Sequence, residues 1–429
     1  MDAATIRTSL RASLGLAALW LALKVLSVFL WVLAPEEYGD TFYYFQSAEK
    51  ALAGGGVGEM MREYPTPAVL LLLVPYALGG TDWGGYRDLF IVMVAVFDAA
   101  FTVLVARRAG WVAAISWISL TALAGPTVLL RFDLIPSVFA GAALLLALQG
   151  ATVASAPLLA LGVGFKLWPV VQSPTLLIEK TRRLPALAAF GATGLLLVMV
   201  SVLTGGWTRL VSPLGYQSER GLQIEAVAAT VPMWSWLTDA AYRVEFSNFL
   251  AFEVFGPGVD GWIAIAGGAG AVSAVVVLGL VVWWFRRGTP PEAGGYLALL
   301  AVLAFMVTSK ALSPQYLLWV AAPAAVLVGL AVTRPHEWSP GRATLTFLAV
   351  GVVMALTLAV YPVLYDGLWQ HRDFSRLAVQ ALTLRNVLLL GLTVWVGWCA
   401  GTAIRRAPGR TGRSPGGGRP PGAAPASDR

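Results

Sequence analysis

Long apolar runs separated by short charged punctuation occupy most of the chain. The clearest cover positions 16–34, 187–203, 262–284, 316–332, 345–360 and 387–404. Each approaches or reaches the roughly 20 residues that a helix needs to cross a hydrocarbon core about 30 Å thick. Lipid offers no partner for a backbone amide, so such runs must bond internally and are read as helices. Two shorter pieces break the rhythm. Positions 67–78 are too few for a comfortable span, and 156–178 are interrupted at Lys166-Leu167-Trp168-Pro169, which predicts a hairpin with its tip at the surface. The pattern predicts an all-α, polytopic integral membrane protein with about 11–13 transmembrane or re-entrant helices. The first run is too long for the core of a cleaved signal and reads as a retained helix.

Charge gives these helices an orientation. Only 12% of the 429 residues are charged, against about 25% in a soluble domain. Arg7, Arg11, Arg107, Arg108, Lys180, Arg182, Arg183, Arg286, Arg287, Arg334, Arg342, Arg405 and Arg406 sit at ends of apolar runs. Positive residues favour the cytoplasmic side. Placing all of these inside makes 35–66, 205–260 and 363–382 extracytoplasmic loops of one domain spanning 1–406, with both termini cytoplasmic. Residues 407–429 are rich in Gly, Pro and Arg and are expected to form a disordered cytoplasmic tail. The net charge of +7 therefore reports topology, and no nucleic-acid partner is expected. The single Cys399 allows no disulfide within the chain.

The remaining charges fall on the predicted outer side. A charge at membrane depth costs about 2.5–3.5 kcal/mol on insertion scales, so each is a candidate for function. Asp40 follows the first helix in Gly-Asp40-Thr-Phe-Tyr-Tyr-Phe, a partly dry setting suited to a general base, or else is an ordinary solvated loop acid. Glu63-Tyr64-Pro65-Thr66-Pro67 either binds substrate or rigidifies the loop beside Asp40. Arg131-Phe-Asp133 offers a guanidinium fork for a phosphate, or an internal pair that ends a helix. Lys166 stands with no basic cluster around it and suits a lipid phosphate, with snorkelling as the plain alternative. Lys310-Ala-Leu-Ser313-Pro-Gln315-Tyr316 brings a cation, a hydroxyl, an amide and a phenol together for sugar and phosphate contacts, or is a plain loop. The stretch Glu219-Arg220-Gly-Leu-Gln-Ile-Glu225 is polar enough for an amphipathic interfacial helix. His336 and His371 fall on opposite sides and lack ligands at metal-site spacing.

In their order along the chain these motifs resemble the GT-C class of membrane glycosyltransferases. The likeness is to glycosyltransferase family 87, the polyprenyl-phosphate-mannose-dependent α-mannosyltransferases of actinobacteria. It rests on Asp40 with Tyr43 and Tyr44, on Tyr64-Pro65, on Lys166 to Pro169 and on Ser313 to Tyr316, and covers about residues 15–400. The family's Tyr-Pro-Pro here reads Tyr64-Pro65-Thr66-Pro67, and no second acid flanks Asp40. The resemblance implies an active site at the extracytoplasmic face of the plasma membrane. There an inverting hexosyl transfer would run from a polyprenyl-phosphate sugar to a lipid or cell-envelope glycan hydroxyl, amid membrane lipids. Asp40 would be the base; Lys166, Arg131 and Lys310 would hold the donor phosphate. Tyr43, Tyr44, Glu63, Tyr64, Asp133, Arg220, Glu225, Ser313, Gln315 and Tyr316 would bind substrate. No cofactor or metal is implied, because a monophosphate donor presents no diphosphate to chelate.

A transporter or flippase of lipid-linked glycans is the alternative. It would need polar groups through the bilayer midplane; Lys24 and Asp98 are the residues that point that way. A structural membrane subunit is a third reading, one that leaves Lys166 and Lys310 unexplained.

Overall fold

The computed structural model describes residues 3–33, 39–58 and 60–406, with side chains over 11–32 in the first of these. The predicted tail at 407–429 and the start of the first loop lie outside the described residues. The chain is almost wholly helical. Its longer helices are α1 (Ala3–Leu33), α2 (Gly39–Lys50), α3 (Thr66–Ala77), α4 (Trp83–Ala109), α5 (Trp111–Leu123), α6 (Leu134–Leu148) and α7 (Thr152–Phe165). There follow α8 (Arg183–Gly205), α9 (Thr208–Glu219), α10 (Val259–Arg286), α11 (Pro291–Thr308), α12 (Leu318–Thr333), α13 (Pro340–Leu358) and α14 (Ser375–Arg406). Among the described residues eight helical segments are long and apolar enough to cross a membrane, and α3, α5, α6 and α7 are shorter apolar helices.

These helices are apolar for two different reasons. The spans containing α11 and α12 are 78% and 89% buried, whereas those of α8 and α10 are only 11% and 6% buried. Val272, Val275, Val276 and Leu278 of α10 are all exposed, as expected of a surface whose solvent is hydrocarbon. At the core, α12 meets α5 so closely that a Cβ on Gly329 would lie 2.3 Å from the Cβ of Ala113. Small residues allow that approach where no hydrophobic drive exists between lipid-solvated helices.

Side-chain bonds sort the helix ends into two groups. At one end Gln149 donates to the carbonyl of Arg108 (2.6 Å), Thr289 to that of Ile178 (2.9 Å), and Arg342 to both carboxylate oxygens of Glu292 (2.9 and 3.0 Å). At the other, Thr41 donates to the carbonyl of Leu130 (2.7 Å), and Trp234 to Thr383 (2.9 Å). The first group contains the arginine-rich ends.

The interruption at Lys166 does form a turn-back. Lys166 is extended (φ −156°, ψ 135°) and stops α7; a 3₁₀ stretch, Trp168–Leu177, then returns along α7 and α11. The expectation of an amphipathic helix at 219–225 is corrected. The amphipathic helix is α9, which ends at Glu219, and the chain then becomes extended. Strand β1 (Leu222–Gln223) pairs with β3 (Phe252–Phe255), which also pairs with β2 (Arg243–Phe246), in the antiparallel order β1-β3-β2. Residues 243–246 alternate polar and apolar with a period of two, which suits a strand and not a helix. Leu222 and Val254 pair and are both buried. Gly221 precedes β1 because a Cβ there would lie 2.7 Å from a carboxylate oxygen of Glu253, which accepts from the Gly221 amide (3.1 Å).

Lys24 and Asp98, the two charges that suited a transport path, hold each other. Their ion pair is 3.0 Å long, with Lys24 also donating to Thr121 (2.9 Å). The indoles of Trp20 and Trp117 donate to the two Asp98 oxygens at 2.5 and 2.7 Å. The cluster fastens α1 to α4 and α5. Breaking a buried pair from one side costs about 3–5 kcal/mol, because it strands the other charge. Lys24→Met is therefore expected to lower the melting temperature of the detergent-solubilised protein, and Lys24→Met with Asp98→Asn to recover most of that loss. Equal melting of wild type and the single variant would show that the pair carries no such role.

Candidate functional site

Asp40 occupies the first turn of α2, where the free amides of a helix N-terminus favour an acid. Thr41 binds the carbonyl of Leu130 and so lays α2 beside the extended residue Arg131. Arg131 forms an ion pair with Asp40 and donates to the Tyr361 hydroxyl (2.7 Å). Two residues on, Asp133 turns to a different partner. One of its oxygens accepts from Lys166 (2.7 Å) and from the Trp319 indole (2.7 Å). The two charges of the Arg131-Phe-Asp133 turn thus belong to two separate ion pairs, neither of them internal to the turn. Lys166 lies 5.6, 5.1 and 5.4 Å from the ring centres of Tyr64, Tyr316 and Trp319. This aromatic cage stabilises an ammonium, so Lys166 is anchored and does not merely snorkel.

These groups border a cleft of about 420 Å³ within the range of ligand pockets. Of the residues predicted from sequence, Asp40, Arg131 and Lys166 line it, together with Tyr43, Tyr44, Glu63 and Tyr64 from the first loop. Arg220 and Glu225 reach it from the second, and Ser313, Gln315 and Tyr316 from the segment just before α12. Two predicted residues do not line it. Asp133 is buried behind Lys166 as its counter-ion. Lys310 donates to the carbonyls of Ser218 (2.9 Å) and Arg220 (2.5 Å) and is a strut beneath the 218–223 segment. Partial burial, with Arg220 nearby, pushes the Lys310 ammonium below its usual pKa although Glu253 opposes this.

The acids of the cleft differ. Burial pushes Glu63 above the usual carboxylate range, with nearby Asp40 adding to it; the Tyr43 hydrogen bond and Arg209 act the other way. Asp40 is therefore accompanied by a second acid in space, although none flanks it in sequence. Glu225 is fully buried, and burial raises it to about 7 against the opposing pull of Arg385 and Arg131. Its Oε2 is 3.5 Å from Arg385, while its Oε1 has no partner among the described residues. Burial likewise raises Tyr216 to about 12. The phenols of Tyr44 and Tyr64 share a 2.9 Å hydrogen bond, and burial raises both well above the ordinary value.

Sequence reasoning missed several contributors. Arg209 is buried and donates to the carbonyls of Tyr64 (3.0 Å) and Met61 (3.4 Å), holding the loop that carries Glu63. Tyr361, Tyr365, Asp366 and Trp369 enter from beyond α13, and Phe246 and Phe252 from the sheet. Tyr361-Pro362 repeats the Tyr64-Pro65 pair and was a usable signal; the two-residue alternation at 243–246 was another. Arg385 lies inside α14, with no local pattern to mark it.

A raised carboxylate pKa links Glu225 to stability. Below about 4.5, folded and unfolded states both carry the proton, and the full contribution is present. It is lost as pH rises through about 7, because ionisation is disfavoured only in the folded state. The melting temperature of Glu225→Gln is expected to gain on that of wild type across this window. A difference between them that stays constant from pH 4.5 to 7 would contradict the assignment.

No family model matches the chain, and no curated protein does. Among solved structures, ArnT from Cupriavidus metallidurans bound to undecaprenyl phosphate is similar at 14% identity, with a TM-score of 0.45, over 89% of this chain and 77% of that one.

Proposed function

We propose that this protein is an inverting GT-C-type glycosyltransferase. In this reading it moves a sugar, mannose by the motif resemblance, from a polyprenyl-phosphate donor to a hydroxyl of a lipid or cell-envelope glycan. One observation carries the reading. A partly exposed carboxylate, Asp40, shares a cleft with Arg131, Lys166 and Arg220 at one end of a bundle of apolar helices. An acid beside converging cations, where a lipid-borne phosphate can arrive, suits displacement of a phosphate from a sugar carbon.

Asp40 takes the proton from the acceptor hydroxyl, whose oxygen attacks the anomeric carbon from the face opposite the phosphate. The bond between that carbon and the phosphate oxygen breaks, and polyprenyl phosphate leaves with the electron pair. Lys166 and Arg131 stabilise the charge that develops on it. The Asp40–Arg131 ion pair makes the order of events matter. A phosphate competes for the guanidinium and can grip it bidentately, which releases Asp40 to act as a base. Glu63 and Glu225, held above the usual carboxylate range, suit hydrogen bonding to sugar hydroxyls. The arginine-rich ends lie opposite the cleft, which favours an extracytoplasmic site with both termini inside.

Transfer of labelled sugar from a polyprenyl-phosphate donor, in membranes containing the protein, tests this. A positioned general base contributes about 10²–10⁴-fold, so Asp40→Asn is expected to lower transfer by that factor at unchanged expression. Lys166→Met is expected to reduce kcat/KM about 10- to 100-fold through loss of a charge-assisted contact. Full transfer by Asp40→Asn would remove the proposed base. Transfer is also expected to persist in excess chelator; a loss restored by a divalent cation would show that a metal takes part.

A further inference from the structure

The reaction proposed above leaves one side of the cleft unused. A continuous aromatic wall runs along it from the tip of the sheet to Arg131. Phe246, 60% exposed, meets Phe252 edge-on with ring centres 5.2 Å apart. Phe252 stacks on Trp369 at 4.7 Å and 22° and touches Tyr365 at 6.0 Å. Tyr365 packs edge-on against Tyr361 at 4.6 Å, and the Tyr361 hydroxyl accepts from Arg131. Asp366 lies in the same 3₁₀ turn as Tyr365, is exposed, and accepts from the Trp369 indole (3.1 Å).

Two features decide what such a wall binds. The first is its position. Phe246 and Phe252 belong to the sheet between α9 and α10, and Tyr365 and Trp369 to the turn after α13, all outside the eight spanning segments. The neighbouring strand residues Arg243 and Glu245 are exposed, which marks this part of the molecule as water-facing. The second is its charge. The wall itself, from 246 to 252 and from 361 to 369, carries Asp366 and no cation; Arg131 meets its inner end at Tyr361. Aromatic faces beside a carboxylate, in water, match a neutral ring with an apolar C–H face and a rim of hydroxyls. They do not match a phosphate.

We propose that this wall is the acceptor subsite and that its occupant is a neutral carbohydrate. The sugar lies against Phe246, Phe252 and Trp369 and presents a hydroxyl towards the Asp40 end of the cleft. This rests on the glycosyltransferase reading and adds the chemical class of the acceptor. It separates the two substrates by chemistry: phosphate at the cationic end, uncharged sugar along the rings. The alternative occupant of an aromatic wall is the prenyl chain of the donor.

The test is binding without turnover, by saturation-transfer NMR and calorimetry. It uses the full chain in a detergent without a sugar headgroup, since such a headgroup would compete. The probes are mannotriose, cellotriose and arabinotriose on one arm and farnesol on the other. At least one trisaccharide is expected to bind saturably. Phe246→Ala and Trp369→Ala are each expected to weaken it about tenfold, as loss of one aromatic contact of about 1.4 kcal/mol would. Trp369→Phe, which keeps a ring, should restore most of the affinity. Absence of trisaccharide binding, or binding that both alanine variants leave unchanged, overturns the proposal. Farnesol binding that those variants abolish, with trisaccharide binding intact, assigns the wall to the lipid instead. Trisaccharide binding that responds as expected in a protein showing no sugar transfer would sink the transferase reading and with it the acceptor role, leaving the wall a neutral-carbohydrate site.

Discussion

Asp133 holds three parts of the chain together. Its buried carboxylate receives Lys166 from the break after α7 and the Trp319 indole from α12 on a single oxygen. A carboxylate taken out of water is tolerated only when its partners are close and well directed. That requirement fixes where α7 must stop, how α12 is rotated and where the Arg131 turn lies. Trp319 then stacks with Trp168 (4.9 Å) and Tyr316 (3.9 Å), so the hairpin and the start of α12 are joined by rings as well as charge. The cleft forms where these elements meet.

From that centre the site divides by solvation. Lys166 is caged by aromatic rings with its side chain 20% exposed, Arg131 is only 10% exposed, and Asp40 keeps more of its surface open, at 29%. Glu225 is drier still, and its ionisation is disfavoured despite two nearby guanidinium groups. Placed side by side, these groups offer a fixed cation, an exchangeable ion pair and a proton-holding acid within one cavity. Such variety suits a reaction that must hold an anion, accept a proton and orient hydroxyls together. Lys310, in contrast, spends its donors on backbone carbonyls and supports the 218–223 segment without lining the cleft.

Elsewhere, charges that resemble functional groups prove to be fasteners. Lys24 and Asp98 meet between α1 and α4, and Arg342 binds Glu292 and Thr402 at the arginine-rich end (2.5 Å to Thr402). In low dielectric an unpaired charge is so costly that pairing is the first thing its presence implies. Function has to be argued from charges that line a cavity and retain exposure or an open oxygen after pairing, as Asp40 and Glu225 do.

Composition and run length alone determined the class of this protein, because a bilayer demands long apolar helices whatever their neighbours. They also located the break at Lys166, since a lone cation followed by Trp-Pro cannot continue a buried helix. Most of the cleft was legible for a related reason: polar residues are so scarce in this chain that each one stands out. What only the tertiary structure decided was who meets whom. Nothing local says that Arg131 turns to Asp40 while Asp133 turns to Lys166, or that Arg385 of α14 reaches Glu225. Nor could the local sequence show that residues near 250 and 365 join into one aromatic wall. Those pairings span roughly 90 to 230 positions in several cases, and they follow from helix packing, which local sequence does not encode. The polytopic helical character of the chain was therefore written in its apolar pattern, and the chemistry of its cleft in the contacts that folding brought together.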